Sequence, residues 1–292
     1  MKKLMTYTSI FLLALSLNAC AQSYTHQFSS GSSWLGGTEV KASNNYVTKQ
    51  IKVKDFDQIS VGGSLDVTYT QKAGKPTVKI YTSDNVVDLL DINVKDGKLN
   101  LGFKKNVKVS YNKLEIRVTS EDLNTVNVAG SGDFDFTNEL KTDRLKLNVA
   151  GSGDITANNL QCSQSFSASV AGSGDITCNQ LTATDLKISV AGSGDLKIEN
   201  AQVTSANASV AGSGTVKISG NADNADYSVA GSGDLLTSDF KVQRISASVA
   251  GSGEIKCYAV DFLKARVSGS GSIGYKGDPQ LDYPEKKKLY KL

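Results

Sequence analysis

Histidine is almost missing from this chain of 292 residues: there is one, His26. Any site that needs two histidines, such as a His-rich zinc centre or a two-His iron centre, is excluded. Aromatic residues are scarce at 7%, and only 2 Met occur, which points to a thin core of small side chains. Trp occurs once and Pro 3 times. Neither sign of charge dominates. Removing Lys2 and Lys3 from the 32 basic residues leaves 30 against 29 acidic ones. That balance argues against nucleic acid as a partner. Long hydrophobic runs are absent too. The apolar run with the core Ile10-Phe11-Leu12-Leu13-Ala14-Leu15 is too short to span a bilayer as a permanent helix. What is present is a normal globular share of hydrophobic residues, 39%, with 27 Gly besides.

Lys2 and Lys3 followed by that short apolar run read as a secretory signal. Leu17-Asn18-Ala19-Cys20 comes directly after it and has the form of a bacterial lipobox, in which the Cys thiol is acylated. Ordinary cleavage also fits the small-x-small run Ala19-Cys20-Ala21, but Leu three places before Cys suits the lipobox. Several acyl groups would hold the chain firmly, since each buried methylene contributes about 0.8 kcal/mol. The stretch after Cys20 is rich in Ser, Gly and Asn and suits a flexible tether. His26 reads as a solvated residue of that tether. Trp34 is either part of it or an anchor on the folded region.

Repetition is the decisive feature. Gly-Ser-Gly begins at Gly130, Gly151, Gly172, Gly192, Gly212, Gly231, Gly251 and Gly269, in steps of 21, 21, 20, 20, 19, 20 and 18 residues. A period near 20 signals a solenoid or array. Within each copy the residues alternate with period two, as in a strand with one buried face. Two places before each first Gly stands Val: Val128, Val149, Val170, Val190, Val210, Val229, Val249 and Val267. Two places after each second Gly stands an apolar residue: Phe134, Ile155, Ile176, Leu196, Val216, Leu235, Ile255 and Ile273. A further inward position is expected at Leu160, Leu181, Ala201, Phe240 and Val260. The Gly pairs share the inward phase and mark the corner of each coil. The stretch between varies in length and absorbs the drift of the period.

The expected fold class is all-β: a right-handed parallel β-helix, or a close β-solenoid relative, of about 20-residue coils with an N-terminal β module. An antiparallel propeller competes, but its blades need about 40 residues, so two copies per blade would make only four. The expected organisation is residues 1–19 as lipoprotein signal peptide and 20–45 as tether. Residues 46–120 form an N-terminal β capping module, 121–278 the solenoid, and 279–292 a basic C-terminal tail. In the capping module, Val61-Gly62-Gly63-Ser64-Leu65 looks like a degenerate corner, Asp96-Gly97 a hairpin turn, and residues 85–90 a helical turn. Pro279 and Pro284 are expected to stop further strand addition, with Lys286, Lys287 and Lys288 solvated beyond them.

The outward phase carries columns of its own. One is Ser, from Ser131 to Ser270. Another is acidic: Asp133, Asp154, Asp175, Asp195, Asp234 and Glu254, interrupted at Thr215 and ended by Ser272. Like charges stacked at strand spacing repel by about 1 kcal/mol per neighbour pair in water. Lys197, Lys217 and Lys256 offset part of this. The column reads in two ways: as a cation- or ligand-binding stripe, or as Asp capping a tight turn on a soluble face. It is not the nonapeptide calcium roll, whose period is nine. Nor is it a dinucleotide fingerprint, which needs a third Gly and a helix. No Ser/His/Asp set is formed, and no single place breaks the repeat as an active site should. A β-helix polysaccharide-active enzyme is thus a distant alternative. With Cys20 assigned to lipid, Cys162, Cys178 and Cys257 form no disulfide framework. Cys178 and Cys257 share one inward column about 19 Å apart, and Cys162 falls on the variable link as a free thiol.

A lipoprotein leader, Phe56-Asp57-Gln58-Ile59-Ser60-Val61, Leu65-Asp66-Val67, repeats of Val-Ala-Gly-Ser-Gly-Asp, and closing Gly-Tyr-Lys-Gly-Asp-Pro together resemble one family. It is the putative auto-transporter adhesin, head GIN domain family of Bacteroidetes-type envelope proteins. The resemblance covers about residues 50–280. It implies a β-helical, non-enzymatic outer-membrane or envelope lipoprotein, without a cofactor or metal. Its partners would be the membrane, through lipid on Cys20, and a glycan or protein ligand. Ala21, Gln22 and Ser23 lack the acidic cluster that directs such lipoproteins to the surface, which favours the periplasmic side and a scaffold role as the alternative.

Overall fold

Apolar and polar residues alternate through each repeat, and the alternation breaks at fixed places. After Gly151 the inward residues are Ile155, Ala157, Leu160, Cys162, Phe166, Ala168 and Val170, all buried. Residues 158–159 and 163–165 put two or three unburied residues in succession. The chain turns there as well as at Gly-Ser-Gly, so each coil has three sides. The computed structural model describes residues 38–284 and 288–292 and shows this arrangement.

Each coil pairs in parallel with the next. Gly130, Gly151, Gly172, Gly192, Gly212, Gly231, Gly251 and Gly269 lie in one register column. The fold is a β-solenoid of about 8 turns with coils about 20 residues apart. Every Val of the first inward column is 7% exposed or less, and every residue of the second 1% or less. Full burial of one such side chain contributes roughly 1.5–3 kcal/mol, so the columns hold the stack together collectively. The third column corrects one expectation. It runs through Leu160, Leu181, Ala201, Gly220 and Phe240 and ends there: Ala259 pairs with Val242, and Val260 is not buried. The next coil lacks three residues opposite 238–240 and gains one after Ala259, so it skips this inward position.

Nine strands precede the repeats: β1 (Thr38–Lys41), β2 (Tyr46–Lys52), β3 (Gln58–Gly63), β4 (Val67–Gln71), β5 (Thr77–Ser83), β6 (Leu90–Lys95), β7 (Lys98–Phe103), β8 (Val107–Ser110) and β9 (Leu114–Ser120). A single helical turn, α1 (Asp84–Val87), lies between β5 and β6. Strands β3 and β4 form two sides of a further rung: Gly63 pairs with Gly130, and Val67 with Phe134. The parallel ladder therefore passes through the degenerate corner without interruption. Leu65 stands where the repeats have their second Gly, fully buried. Beyond this rung, β7 and β9 add in parallel to β3 and β4. Antiparallel strands then finish the end, β6 on β7, β5 on β9 and β2 on β5. Asp96 and Gly97 link β6 to β7 with φ of 52° and 74°, the left-handed pair a tight hairpin requires. Tyr69, Phe134 and Phe136 cluster inside, with centroids 5.1–6.2 Å apart.

Two expectations about the ends are corrected. Part of the stretch assigned to a tether is docked: β1 pairs in parallel with β8, and Asn45 Nδ2 donates to Asp84 Oδ2 at 2.8 Å. The last segment is also more than a solvated tail. Gln280–Asp282 pairs with Phe262–Lys264, and Leu289–Lys291 with Ile273–Tyr275, so the ladder continues past both prolines. Neither Pro279 nor Pro284 falls within these paired strands, so neither removes a ladder donor. The leader, Cys20, His26, Trp34, Lys286 and Lys287 lie outside the described residues. Among those described, no helix is long and apolar enough to cross a membrane.

Candidate binding surface

The corner sets what the outer surface can offer. At the Gly172 corner, the carbonyl of Gly151 accepts two hydrogen bonds, from Ser173 N–H at 2.8 Å and Gly174 N–H at 3.1 Å. Such close stacking leaves no space for side chains. A Cβ on Gly172 would lie 2.2 Å from Gly151 O, at a φ of +138° that L residues rarely adopt. A Cβ on Gly174 would lie 2.1 Å from Gly153 O and 2.9 Å from a Val149 methyl. The Gly pairs are therefore steric necessities, and the Ser between them points outward.

The acidic column follows from the same corner. Asp133 Oδ1 accepts the backbone N–H of Asp154 at 3.0 Å, Asp154 that of Asp175 at 2.8 Å, and Asp175 that of Asp195 at 2.8 Å. Asp195 accepts from Thr215 N–H at 2.8 Å, and Asp234 from Glu254 N–H at 3.1 Å. Asp66 heads the series by accepting from Asp133 N–H at 3.1 Å. Asp66 is absent from the repeat pattern, and only its place directly after the degenerate corner could have pointed to it. A hydrogen bond to a charged group contributes about 1.5–3 kcal/mol, against about 1 kcal/mol of repulsion per neighbour pair. Solvent weakens both at this exposed face, and the bond still outweighs the repulsion. Each Asp thus ties its coil to the next one, rather than capping its own turn. The structure joins Asp133 to Asp195 in one chain of bonds and sets Asp234 and Glu254 apart behind Thr215. Among the described residues, no group of three or more His, Cys, Asp or Glu is arranged to hold a metal ion.

Of the lysines, Lys256 pairs with a member of the column, as expected, while Lys197 takes a partner outside it. Lys197 pairs with Glu199, and Lys256 with Glu254 at 2.9 Å. Glu254 closes the column where the terminal strand lands. Burial pushes its carboxyl up, but hydrogen bonds from Tyr290, Lys256 and Ser272 outweigh this and hold it below the usual range. The Tyr290 hydroxyl is in turn pushed up to about 12, by burial first and then by Glu254. Inside, Cys162, Cys178 and Cys257 are all free and buried. Burial pushes each thiol up to about 12, which removes nucleophilic character at neutral pH. Cys162 thus belongs to an inward column and not to an exposed link.

Stacked glycine corners, a filled interior and outward ladders define a class of parallel β-solenoid with one tightly stacked corner per coil. Residues 55–178 and again 166–279 match the family described as "Putative auto-transporter adhesin, head GIN domain", and the chain belongs to that family. It is similar to a putative adhesin from Parabacteroides merdae, 27% identical, with 87% of this chain and 99% of that one covered and a TM-score of 0.65. A putative adhesin from Parabacteroides distasonis is also 27% identical, covering 87% and 100%, with a TM-score of 0.65. A putative lipid binding protein from the same species is 27% identical, covering 87% and 100%, with a TM-score of 0.63. No curated protein matches the chain.

Proposed function

We propose that this chain is a non-catalytic binding module of the cell envelope, anchored by lipid on Cys20, whose outer faces engage a glycan or protein partner. One observation carries the reading. The core forms one continuous cluster from Phe56 to Ile273, so a ligand meets the outside of a filled rod. The family description and the names of two relatives, both putative adhesins, support the same role. The name of the third, a putative lipid binding protein, is consistent with life beside a membrane. The thiols of Cys162, Cys178 and Cys257 are buried and protonated at neutral pH.

Ala21, Gln22 and Ser23 favour the periplasmic side of the outer membrane and with it a scaffold role in an envelope assembly. Two measurements test the pair of readings. Labelled palmitate should enter the wild-type chain and be absent from Cys20→Ala; labelling of both would remove the lipid anchor. Protease added to intact cells should spare the chain if it faces the periplasm, whereas digestion would favour display and adhesion.

A further inference from the structure

The third corner carries an extra residue at two rungs, one at Val260–Asp261 near the end of the stack and one nearer its start. Between Cys162 and Ser165 stand two residues, Ser163 and Gln164, where the neighbouring coils have only Asp143 or Thr184. The wide corner stays tied to the next coil, since Thr184 N–H donates to Gln164 O at 2.9 Å. A groove of about 1000 Å³ lies along this column, lined by residues from Asp57 through Asn124 and Arg144 to Thr182. It crosses five successive rungs, which is roughly 19 Å of length at strand spacing.

The groups in it are fixed in part and unspent in part. Asn124 Nδ2 donates to Asp57 Oδ2 at 2.5 Å, and Ser163 donates to Asp143. Arg144 Nε donates to Gln164 Oε1 at 2.7 Å, which holds the guanidinium plane while leaving its two terminal nitrogens available. Among the described residues Arg144 makes no ion pair, and the carboxylate of Asp122 has no hydrogen-bond partner. Donors and acceptors therefore alternate over a short span. Three carboxylates, from Asp57, Asp122 and Asp143, oppose an anionic polymer. No aromatic or large aliphatic side chain lines the groove, so an apolar peptide has nothing to bury against.

Resting on the reading of the chain as a binding module, we propose that this groove binds a neutral oligosaccharide, its hydroxyl pairs shared between Asp122 and Arg144. A vicinal diol can donate to a carboxylate and accept from a guanidinium, and Asp122 and Arg144 both keep free sites for it.

Calorimetric titration of the mature chain with maltohexaose, chitohexaose, mannohexaose and laminarihexaose tests this. At least one should bind saturably. Arg144→Ala and Asp122→Asn should each weaken that binding tenfold or more with Tm unchanged, and Asp226→Asn, two rungs beyond the end of the groove, should leave it alone. Failure of all four sugars overturns the proposal. So does binding that ignores both groove variants, or a groove that takes polygalacturonate instead. Binding of the wild-type chain to purified envelope fragments, measured in parallel, separates the two levels. Envelope binding that neither variant affects would sink the groove and keep the module; no envelope binding and no sugar binding would sink both.

Discussion

The corners up to Asp195 and those from Thr215 onward follow the same path and are tied differently. In the first group the strand begins after the Asp, at Ile155, Ile176 and Leu196, and the Asp N–H is taken by the previous carboxylate. In the second group the strand begins one residue sooner, at Thr215, Asp234, Glu254 and Ser272. Thr215 brings no carboxylate, and Asp234 N–H goes to Gly214 O at 3.1 Å. Ser272 N–H likewise goes to Gly253 O at 3.3 Å. The same donor is thus satisfied by a side chain throughout the first group, and by a carboxylate and a backbone carbonyl in alternation in the second. A column of like residues is a device for stacking coils, used where the backbone carbonyl is out of line.

The largest effect should not distinguish the halves. Gly174→Ala and Gly253→Ala each drive a Cβ to 2.1 Å from a carbonyl oxygen, and should each cost about 3 kcal/mol or more in urea unfolding. A cost below 1 kcal/mol at either site would show that the stack can open to admit a methyl group.

The next effect should divide them. Asp154→Ala strands the N–H of Asp175 and should cost about 1–2 kcal/mol. Asp154→Asn keeps an accepting oxygen and should recover most of that. Thr215→Ala should cost about 0.5 kcal/mol or less. Equal losses for Asp154→Ala and Thr215→Ala would erase the difference between the halves.

A smaller effect concerns Asp135, found only in the first half. Burial pushes its carboxyl up; the Thr156 hydroxyl opposes this, and Asp133, Asp66 and Asp154 add to it. The folded chain then keeps this proton longer than the unfolded chain. Its contribution to stability therefore falls as pH rises from the ordinary carboxylate range through the raised value. Asp135→Asn should raise Tm at neutral pH, with the gain fading in acid; a gain independent of pH would rule out this origin. The smallest expected effect is none. In a Cys20→Ser variant, Cys162 and Cys178 in one half and Cys257 in the other should resist a thiol reagent in native buffer, while unfolded chain reacts fully. Selective labelling of Cys257 would reveal that the second half opens alone.

The eight corners were legible because two positions per coil admit no side chain, and only Gly meets that demand. The rung at residues 58–71 was legible only as a degenerate corner. No coil corner stacks on its outer side, so Leu65 can fill the place of the second Gly. The last rung was hidden because a proline blocks one donor at its own site, and Pro279 and Pro284 sit outside the paired residues. The acidic column was plain in the sequence, but its partner was not, since a periodic Asp looks the same whether it bonds its own turn or the neighbouring coil. The groove was missed for a related reason. One added residue at Ser163 and Gln164 resembles the ordinary drift of the period, and only the register shows that the neighbours lack it.

From Gly130 to Gly251 each first-glycine carbonyl receives two donors from the following coil, and the same exchange recurs at each of these levels. A corner therefore recognises only its immediate neighbour and is indifferent to how many others follow. An in-frame duplication or loss of one unit would lengthen or shorten the rod by a single notch of about 4.8 Å. The protein's span is in this sense a ruler that inheritance can recalibrate one mark at a time.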